Sequence, residues 1–114
     1  MSDTTNSYRE HLLKSVSTFL GRWKGCDARI WEYTAGHSAF TIRITAKNRP
    51  GNLQLSCLGP EYIRGPVYWS NCSLRLVADV PLRDGSKGYA LIDESVDFEV
   101  RGEKVEVAEN CKPL

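Results

Sequence analysis

The chain has 114 residues, of which 41% are hydrophobic and 25% are charged, and its formal net charge is +1. These values predict one globular domain with one core, and they exclude a chain that is disordered throughout. A net charge so close to zero gives no overall attraction to nucleic acid or to an anionic membrane. No apolar run approaches the roughly 18 residues that a membrane span needs. We therefore expect no nucleic-acid partner and no membrane association.

The first predicted element is an amphipathic helix near the N-terminus. Residues 1–6 are polar and predicted to be disordered, and residues 7–114 are predicted to form the single domain. Ser7 and Glu10 have the spacing of a capping box, which predicts that the helix begins at Ser7. An apolar stripe follows, and Gly21 stands where a left-handed residue commonly ends a helix. A helix of about 13 residues is marginal by itself in water, so its apolar stripe must pack on the rest of the domain.

Beyond the helix, apolar residues alternate with polar ones, a period of two that predicts strands with one buried face. The segment 89–100 is either one strand or two strands broken near residues 94 and 95. Pro50 and Gly51 predict a type II turn within the loop 48–52, and two Gly-Pro steps exclude a regular central strand over 59–66. The predicted strands lie within residues 23–33, 39–47, 53–58, 67–78, 89–100 and 105–109.

Short connections between these strands favour antiparallel pairing. The predicted fold is therefore α+β, with an N-terminal amphipathic helix packed on a five- to seven-stranded, mainly antiparallel sheet. This sheet is either strongly curved or closed into a small barrel. The last strand, 105–109, carries little charge to protect its edge, which favours a homodimer formed through an edge or through helix packing.

Cysteines and histidines are the main candidates for metal or nucleophilic chemistry. The start of the chain lacks a secretory signal, which favours a cytoplasmic protein with free thiols over an exported one with two disulfides. The cysteines show no C-x-x-C pair and no nearby histidine, so we predict no metal site and no cofactor. Catalytic motifs are absent, and we expect no catalytic activity; a dyad of His37 with Cys57 or Cys72 is the alternative. The four cysteines are Cys26, Cys57, Cys72 and Cys111.

An aromatic and basic segment is the predicted binding site. It contains Tyr62, Arg64, Tyr68 and Trp69, and it holds two Gly-Pro steps. Irregular segments often present such side chains to a ligand, and Trp, Tyr and Arg dominate the hot spots of interfaces. We therefore predict that these residues bind a protein partner or a small ligand. The alternative is that their rings cover one end of the core.

The residues that follow the predicted helix, Gly21-Arg22-Trp23, form a G-x-W pattern. This pattern resembles the start of lipocalin-like (calycin) barrels. The resemblance implies that Trp23 closes one end of a barrel that holds an apolar small molecule, which is the alternative function. Roughly 90 residues follow Trp23, few for the eight or more strands of such barrels, and with six strands side chains would fill the interior. We therefore predict that Trp23 is a core residue beneath the helix.

Overall fold

The computed structural model describes residues 3–34 and 38–110. Within these ranges one long helix, α1 (Asp3–Arg22), precedes nine strands, and the paired strands are antiparallel. A short 3-10 helix, Glu94–Val96, separates the seventh strand from the eighth. The strands are β1 (Asp27–Thr34), β2 (Ala39–Ala46), β3 (Arg49–Leu58), β4 (Tyr62–Arg64), β5 (Tyr68–Trp69), β6 (Arg75–Pro81), β7 (Lys87–Asp93), β8 (Phe98–Gly102) and β9 (Lys104–Asn110).

The described strands form two sheets. Sheet A has the order β5-β1-β2-β3-β9, and sheet B has the order β4-β8-β7-β6. The prediction of an α+β fold with antiparallel pairing is confirmed. The predicted count of five to seven strands is wrong, because the described residues form nine strands. The small barrel is also wrong, because each described sheet keeps two edge strands. Two sheets that pack against each other bury one face each, so the core needs no barrel closure.

The chain crosses from sheet B to sheet A at Gly102. Gly102 pairs with Tyr89 in sheet B, and Lys104 pairs with Leu58 in sheet A. A Cβ atom at position 102 would lie 2.6 Å from the Sγ atom of Cys57 and 2.8 Å from the carbonyl oxygen of Leu58. Only glycine fits such a close approach, so it allows β3 and β8 to pack against each other at the crossing.

A second crossing corrects the predicted strand 67–78. The chain leaves sheet A after β5 and enters sheet B at β6, and Asn71 between them has a positive φ of 55°. The segment 89–100 is broken at the 3-10 helix, which is one of the two alternatives predicted for it. The segment 59–66 contains β4, a three-residue edge strand of sheet B.

The hairpin between β2 and β3 also differs from its prediction. A two-residue turn at Lys47 and Asn48 joins the strands, and Pro50 and Gly51 lie within β3. The positive φ predicted for Gly51 is present, at 83°. It belongs to an irregularity in the pairing of the two strands, where β3 has extra residues opposite β2, and it is not the turn itself.

Helix α1 is longer than its capping pattern predicts. It begins at Asp3, so residues 3–6 are helical and Ser7 lies inside the helix. Asp3 and the threonines after it are residue types that helix N-termini favour, which makes a start there equally suitable. Gly21 is also helical, and the left-handed glycine after the helix is Gly25, with a φ of 86°.

Because Gly21 is helical, replacing it with alanine is expected to raise the free energy of unfolding by about 0.5–1 kcal/mol. A Cβ atom at position 21 meets no heavy atom within 4 Å, so alanine adds helix propensity without a clash. Urea denaturation of the two proteins measures the difference. Gly25→Ala is the matched control and should destabilise the protein because of its positive φ. A loss of stability in Gly21→Ala would mean that residue 21 needs a left-handed conformation.

The helix packs along the outer strands of both sheets. It contacts β6 at the end of sheet B and β9 at the end of sheet A. An ion pair of 2.6 Å joins Arg9 to Asp79 on β6, and another of 2.8 Å joins Arg22 to Glu109 on β9. Within the part of the chain that the structure describes, no helix combines the length and the apolarity of a membrane crossing.

Trp23 is buried beneath the end of α1, as predicted. Its indole Nε1 donates a hydrogen bond of 2.7 Å to Glu109, and the guanidinium of Arg49 lies 3.8 Å from its ring centroid. Arg49 also donates to the carbonyl oxygen of Arg22, at 2.7 Å. Hydrogen bonds from Arg22 and Trp23 lower the pKa of Glu109. These contacts fix the end of the helix to sheet A.

The core lies between the two sheets and the helix. Side chains from all three layers fill it, as the aromatic contact between Phe40 of sheet A and Phe98 of sheet B illustrates, with ring centroids 6.3 Å apart. Fully buried members with large side chains are Val16, Trp23, Ile42, Ile44, Leu53, Leu55, Leu91, Phe98 and Val100.

Candidate functional site

Tyr68 and Trp69 are neighbours on β5, and their side chains lie on opposite faces of sheet A. Trp69 is buried, its ring centroid is 4.7 Å from that of Phe98, and its Nε1 donates a hydrogen bond of 2.9 Å to Asp93. Tyr68 is 48% exposed on the outer face. Trp69 is therefore a core residue, and of this pair only Tyr68 is available to a partner.

Tyr62 and Arg64 lie together on β4, in the other sheet. The guanidinium of Arg64 donates to the Tyr62 hydroxyl at 3.0 Å and forms ion pairs with Asp97 at 3.0 Å and Glu99 at 3.3 Å. These partners already satisfy the positive charge of Arg64. The four residues of the predicted site thus lie on two different sheets, and one of them points into the core.

A row of side chains crosses the outer face of sheet A instead. Tyr68 pairs with Arg29, Arg29 pairs with Arg43, and Arg43 pairs with Gln54, so the four residues lie side by side on four adjacent strands. Residues directly opposite each other on one face have Cβ atoms about 4.5–5.5 Å apart. Two arginines are therefore direct neighbours on this face.

Trp31 lies next to this row at an irregularity of β1. The register of β1 against β2 shifts between Ile30 and Glu32, which leaves Trp31 as the extra residue. Trp31 is two residues beyond Arg29 and so lies on the same outer face, and the bulge changes the alternation only after it. Trp31 is 50% exposed there, and the guanidinium of Arg43 lies over its ring, 3.6 Å from the centroid.

These residues enclose a depression that we call the outer cleft, with a volume of about 240 Å³. Its second stacked pair is Arg29 over Tyr68, with 5.1 Å between the guanidinium carbon and the ring centroid. Each arginine thus lies over one half-exposed aromatic ring, an arrangement that is favourable for a guanidinium. The outer cleft is lined by Asp27, Arg29, Trp31, Arg43, Thr45 and Tyr68.

Neither arginine of the outer cleft forms an ion pair with a described carboxylate, Asp27 included. Arg43 donates to the Gln54 side chain at 3.2 Å, and its Nε atom is buried without a hydrogen-bond partner. Several other arginines do have carboxylate partners: Arg9, Arg22, Arg49, Arg64, Arg75 and Arg101. The outer cleft therefore holds two positive charges that the described residues leave uncompensated by an ion pair.

A second groove, of about 410 Å³, lies between α1 and β9. Its lining includes Tyr8 and Leu12 from the helix and Val105 and Val107 from the strand, and Glu106 is the one charged residue among the described residues that line it. It has fewer groups that could orient a polar ligand than the outer cleft has. The outer cleft is the better candidate for a specific site.

Asp93 is a buried carboxylate whose hydrogen bonds come from the chain itself. One oxygen accepts from the backbone N–H of Ser73 at 2.7 Å and from Trp69, and the other accepts from the N–H of Ser95 at 3.0 Å and from its hydroxyl at 2.5 Å. Burial acts to raise the pKa of Asp93, but the hydrogen bonds from Ser73, Ser95 and Trp69 outweigh it and lower the pKa. This carboxylate joins β5, the loop before β6 and the 3-10 helix, which is a structural role.

Buried thiols make poor nucleophiles in this fold. Burial raises the pKa of Cys57 to about 12 and that of Cys72 to about 11, so both are protonated at neutral pH. Their predicted partner, His37, lies outside the described residues, as does Cys111. The described part of the chain brings together no group of three or more His, Cys, Asp or Glu side chains that could hold a metal ion.

Sequence reasoning identified Tyr68 but missed Arg29, Trp31 and Arg43. Arg43 falls on the polar side of the alternation in β2, which is the signal that could have placed it on the outer face. No signal fixed the facing of β1, because the bulge at Trp31 interrupts its alternation. Chemically, the outer cleft can stack a planar group and bind an anion.

Comparison of the chain with known protein families, with curated proteins and with solved structures finds no match to any of them.

Proposed function

We propose that this protein is a non-catalytic binding module that meets a protein partner or a small ligand through the outer cleft. One observation carries the proposal: Arg29 and Arg43 are direct neighbours, neither forms an ion pair with a described carboxylate, and each lies over a half-exposed ring. Arginine and aromatic residues with this arrangement are typical of interface hot spots. Tyr68 belongs to both this surface and the predicted segment.

The test is to map binding on the surface of the protein. We would titrate the isotope-labelled protein with a library of small fragments and short peptides and follow the backbone amide resonances. Ligands are expected to shift resonances around the outer cleft, and Arg43→Ala is expected to weaken their binding about tenfold or more because a charged donor is lost.

Arg75→Ala is the matched control for this test. Arg75 is an exposed arginine on β6 of sheet B, where it pairs with the exposed Glu94, whereas the outer cleft lies on sheet A. Both variants should keep the melting temperature of the parent within a few degrees, since surface substitutions change stability little. Ligand contacts scattered over the whole surface, or equal effects of the two variants, would refute the proposed function.

A cytoplasmic location remains part of this proposal. Its support is that Cys26, Cys57 and Cys72 are free thiols, as expected in a reducing compartment. Association with a second copy remains a prediction from the strand edges, and light scattering of the purified protein would test it.

A further inference from the structure

The pairing of Arg29 with Arg43 is electrostatically unfavourable in the absence of an anion. Like charges directly opposite each other on one face of a sheet destabilise it. No described carboxylate forms an ion pair with either guanidinium to offset this repulsion. An anion placed between the two side chains would remove the repulsion and gain attraction from both.

Stacking on the aromatic rings determines which atoms remain for that anion. The guanidinium of Arg43 lies over the Trp31 ring and that of Arg29 over the Tyr68 ring. A stacked guanidinium keeps its N–H groups at its edge, where they match the two oxygens of a carboxylate. Among the acceptors from the described chain, only Gln54 takes a hydrogen bond from these two guanidinium groups. Most of their donors therefore have no hydrogen-bond acceptor among the described residues.

The size of the outer cleft favours part of a larger partner over a whole small molecule. Its volume of about 240 Å³ is below the roughly 300–1,000 Å³ of sites that enclose a drug-sized ligand. It suits one or two side chains of a peptide. The half-exposed rings of Trp31 and Tyr68 on the same surface offer contact to the apolar residues beside them.

We infer that the outer cleft recognises an acidic peptide segment of a partner protein, with a carboxylate bridging Arg29 and Arg43 and an adjacent apolar side chain on Trp31 or Tyr68. This inference rests on the proposed function of the cleft. Nucleic acid fits less well, because Asp27 also lines the cleft and the chain has a net charge of only +1.

The test uses a random peptide library displayed on phage, selected against the full protein and against the Arg29→Gln/Arg43→Gln double variant. Peptides selected by the parent protein are expected to be enriched in Asp or Glu beside a large apolar residue. The double variant should lose this enrichment while keeping its circular dichroism spectrum and melting temperature. Arg75→Gln is the control and should select the same acidic peptides as the parent.

A fluorescence measurement locates the bound peptide. Of the three tryptophans, Trp31 is half-exposed, whereas Trp23 and Trp69 are buried, so acrylamide quenching reports mainly on the outer cleft. A synthetic peptide of the selected sequence without tryptophan should protect against quenching. Replacing its acidic residues with their amides should weaken binding about tenfold or more.

The possible outcomes distinguish a failure of this inference from a failure of the proposed function. If selected peptides are neutral or basic, or if the double variant keeps the acidic enrichment, the inference is wrong even when fragments bind at the cleft. A single-stranded oligothymidine that protects Trp31 more strongly than the peptide also overturns it. If neither peptides nor fragments contact the outer cleft, both the inference and the proposed function fail.

Discussion

Replacing Trp69 with alanine is expected to lower the free energy of unfolding by about 3–5 kcal/mol, the range for a large buried aromatic side chain. The indole is 5% exposed, it packs against Phe98, and it is a hydrogen-bond donor to Asp93. Its removal leaves a cavity between the sheets and takes one donor from a buried carboxylate. Urea denaturation followed by circular dichroism measures the loss.

Tyr68→Ala is the matched control, because it removes the neighbouring aromatic side chain from the same short strand. Tyr68 is half-exposed on the outer face, so its loss should cost about 1 kcal/mol or less. Although Tyr68→Ala should change stability little, it should weaken ligand binding to the outer cleft. Equal stabilities of the two variants would contradict the assignment of Trp69 to the core and Tyr68 to the surface.

Replacing Asp93 with asparagine is expected to cost about 2–4 kcal/mol at neutral pH, because hydrogen bonds to a charged acceptor are strong and the buried donors cannot turn to water. Each oxygen of Asp93 accepts two hydrogen bonds, and an asparagine replaces one of these oxygens with an NH₂ group. In one orientation this NH₂ group faces the donors of Ser73 and Trp69, and in the other it faces the donors of Ser95. The difference in urea midpoint between the two proteins, at unchanged slope, measures the cost.

The chain offers a close control in Asp84, whose carboxylate accepts from the backbone N–H and the hydroxyl of Ser86, two residues later. Asp93 has the same arrangement with Ser95, but Asp84 is on the surface. Asp84→Asn should therefore have a much smaller effect. If the two substitutions cost the same, the local turn rather than the buried network determines the stability.

The lowered pKa of Asp93 makes the stability depend on pH in one direction. The carboxyl group of Asp93 binds a proton less tightly in the folded protein than in the unfolded chain, where an aspartate has a pKa of about 3.9. The stabilisation is thus complete above about pH 5 and is lost as the pH falls through the lower pKa of the folded state. The difference in unfolding free energy between the parent and Asp93→Asn should shrink along this path. A difference that stays constant from neutral to acidic pH would contradict it.

The alternation of polar and apolar residues predicted which residues form strands, because each sheet has one buried face. It predicted β2 and the return strand β3 correctly, and it predicted antiparallel pairing from the short connections. It could not show that there are two sheets. Two successive exposed residues interrupt the alternation at each crossing, Ser70-Asn71 and Glu103-Lys104. Such an interruption looks the same in sequence whether the chain turns within one sheet or passes to the other.

The candidate site was predicted only in part, because it depends on register. The segment that holds Tyr62, Arg64, Tyr68 and Trp69 is continuous in sequence, yet its residues belong to two sheets. Arg29 and Arg43 become neighbours only through the pairing of β1 with β2. The bulge at Trp31 leaves apolar residues on both sides of the alternation in β1, so the outer cleft could not be derived from sequence pattern alone.

The position of α1 has a consequence for self-association. The helix contacts the strands that end the two sheets on one side, β6 and β9, and these have seven residues each. On the other side the sheets end in β4 and β5, which have three and two residues. Addition of a strand from a second copy needs a long free edge to be stable. Edge-to-edge pairing of a second copy with β6 or β9 therefore competes with the packing of α1 on these strands.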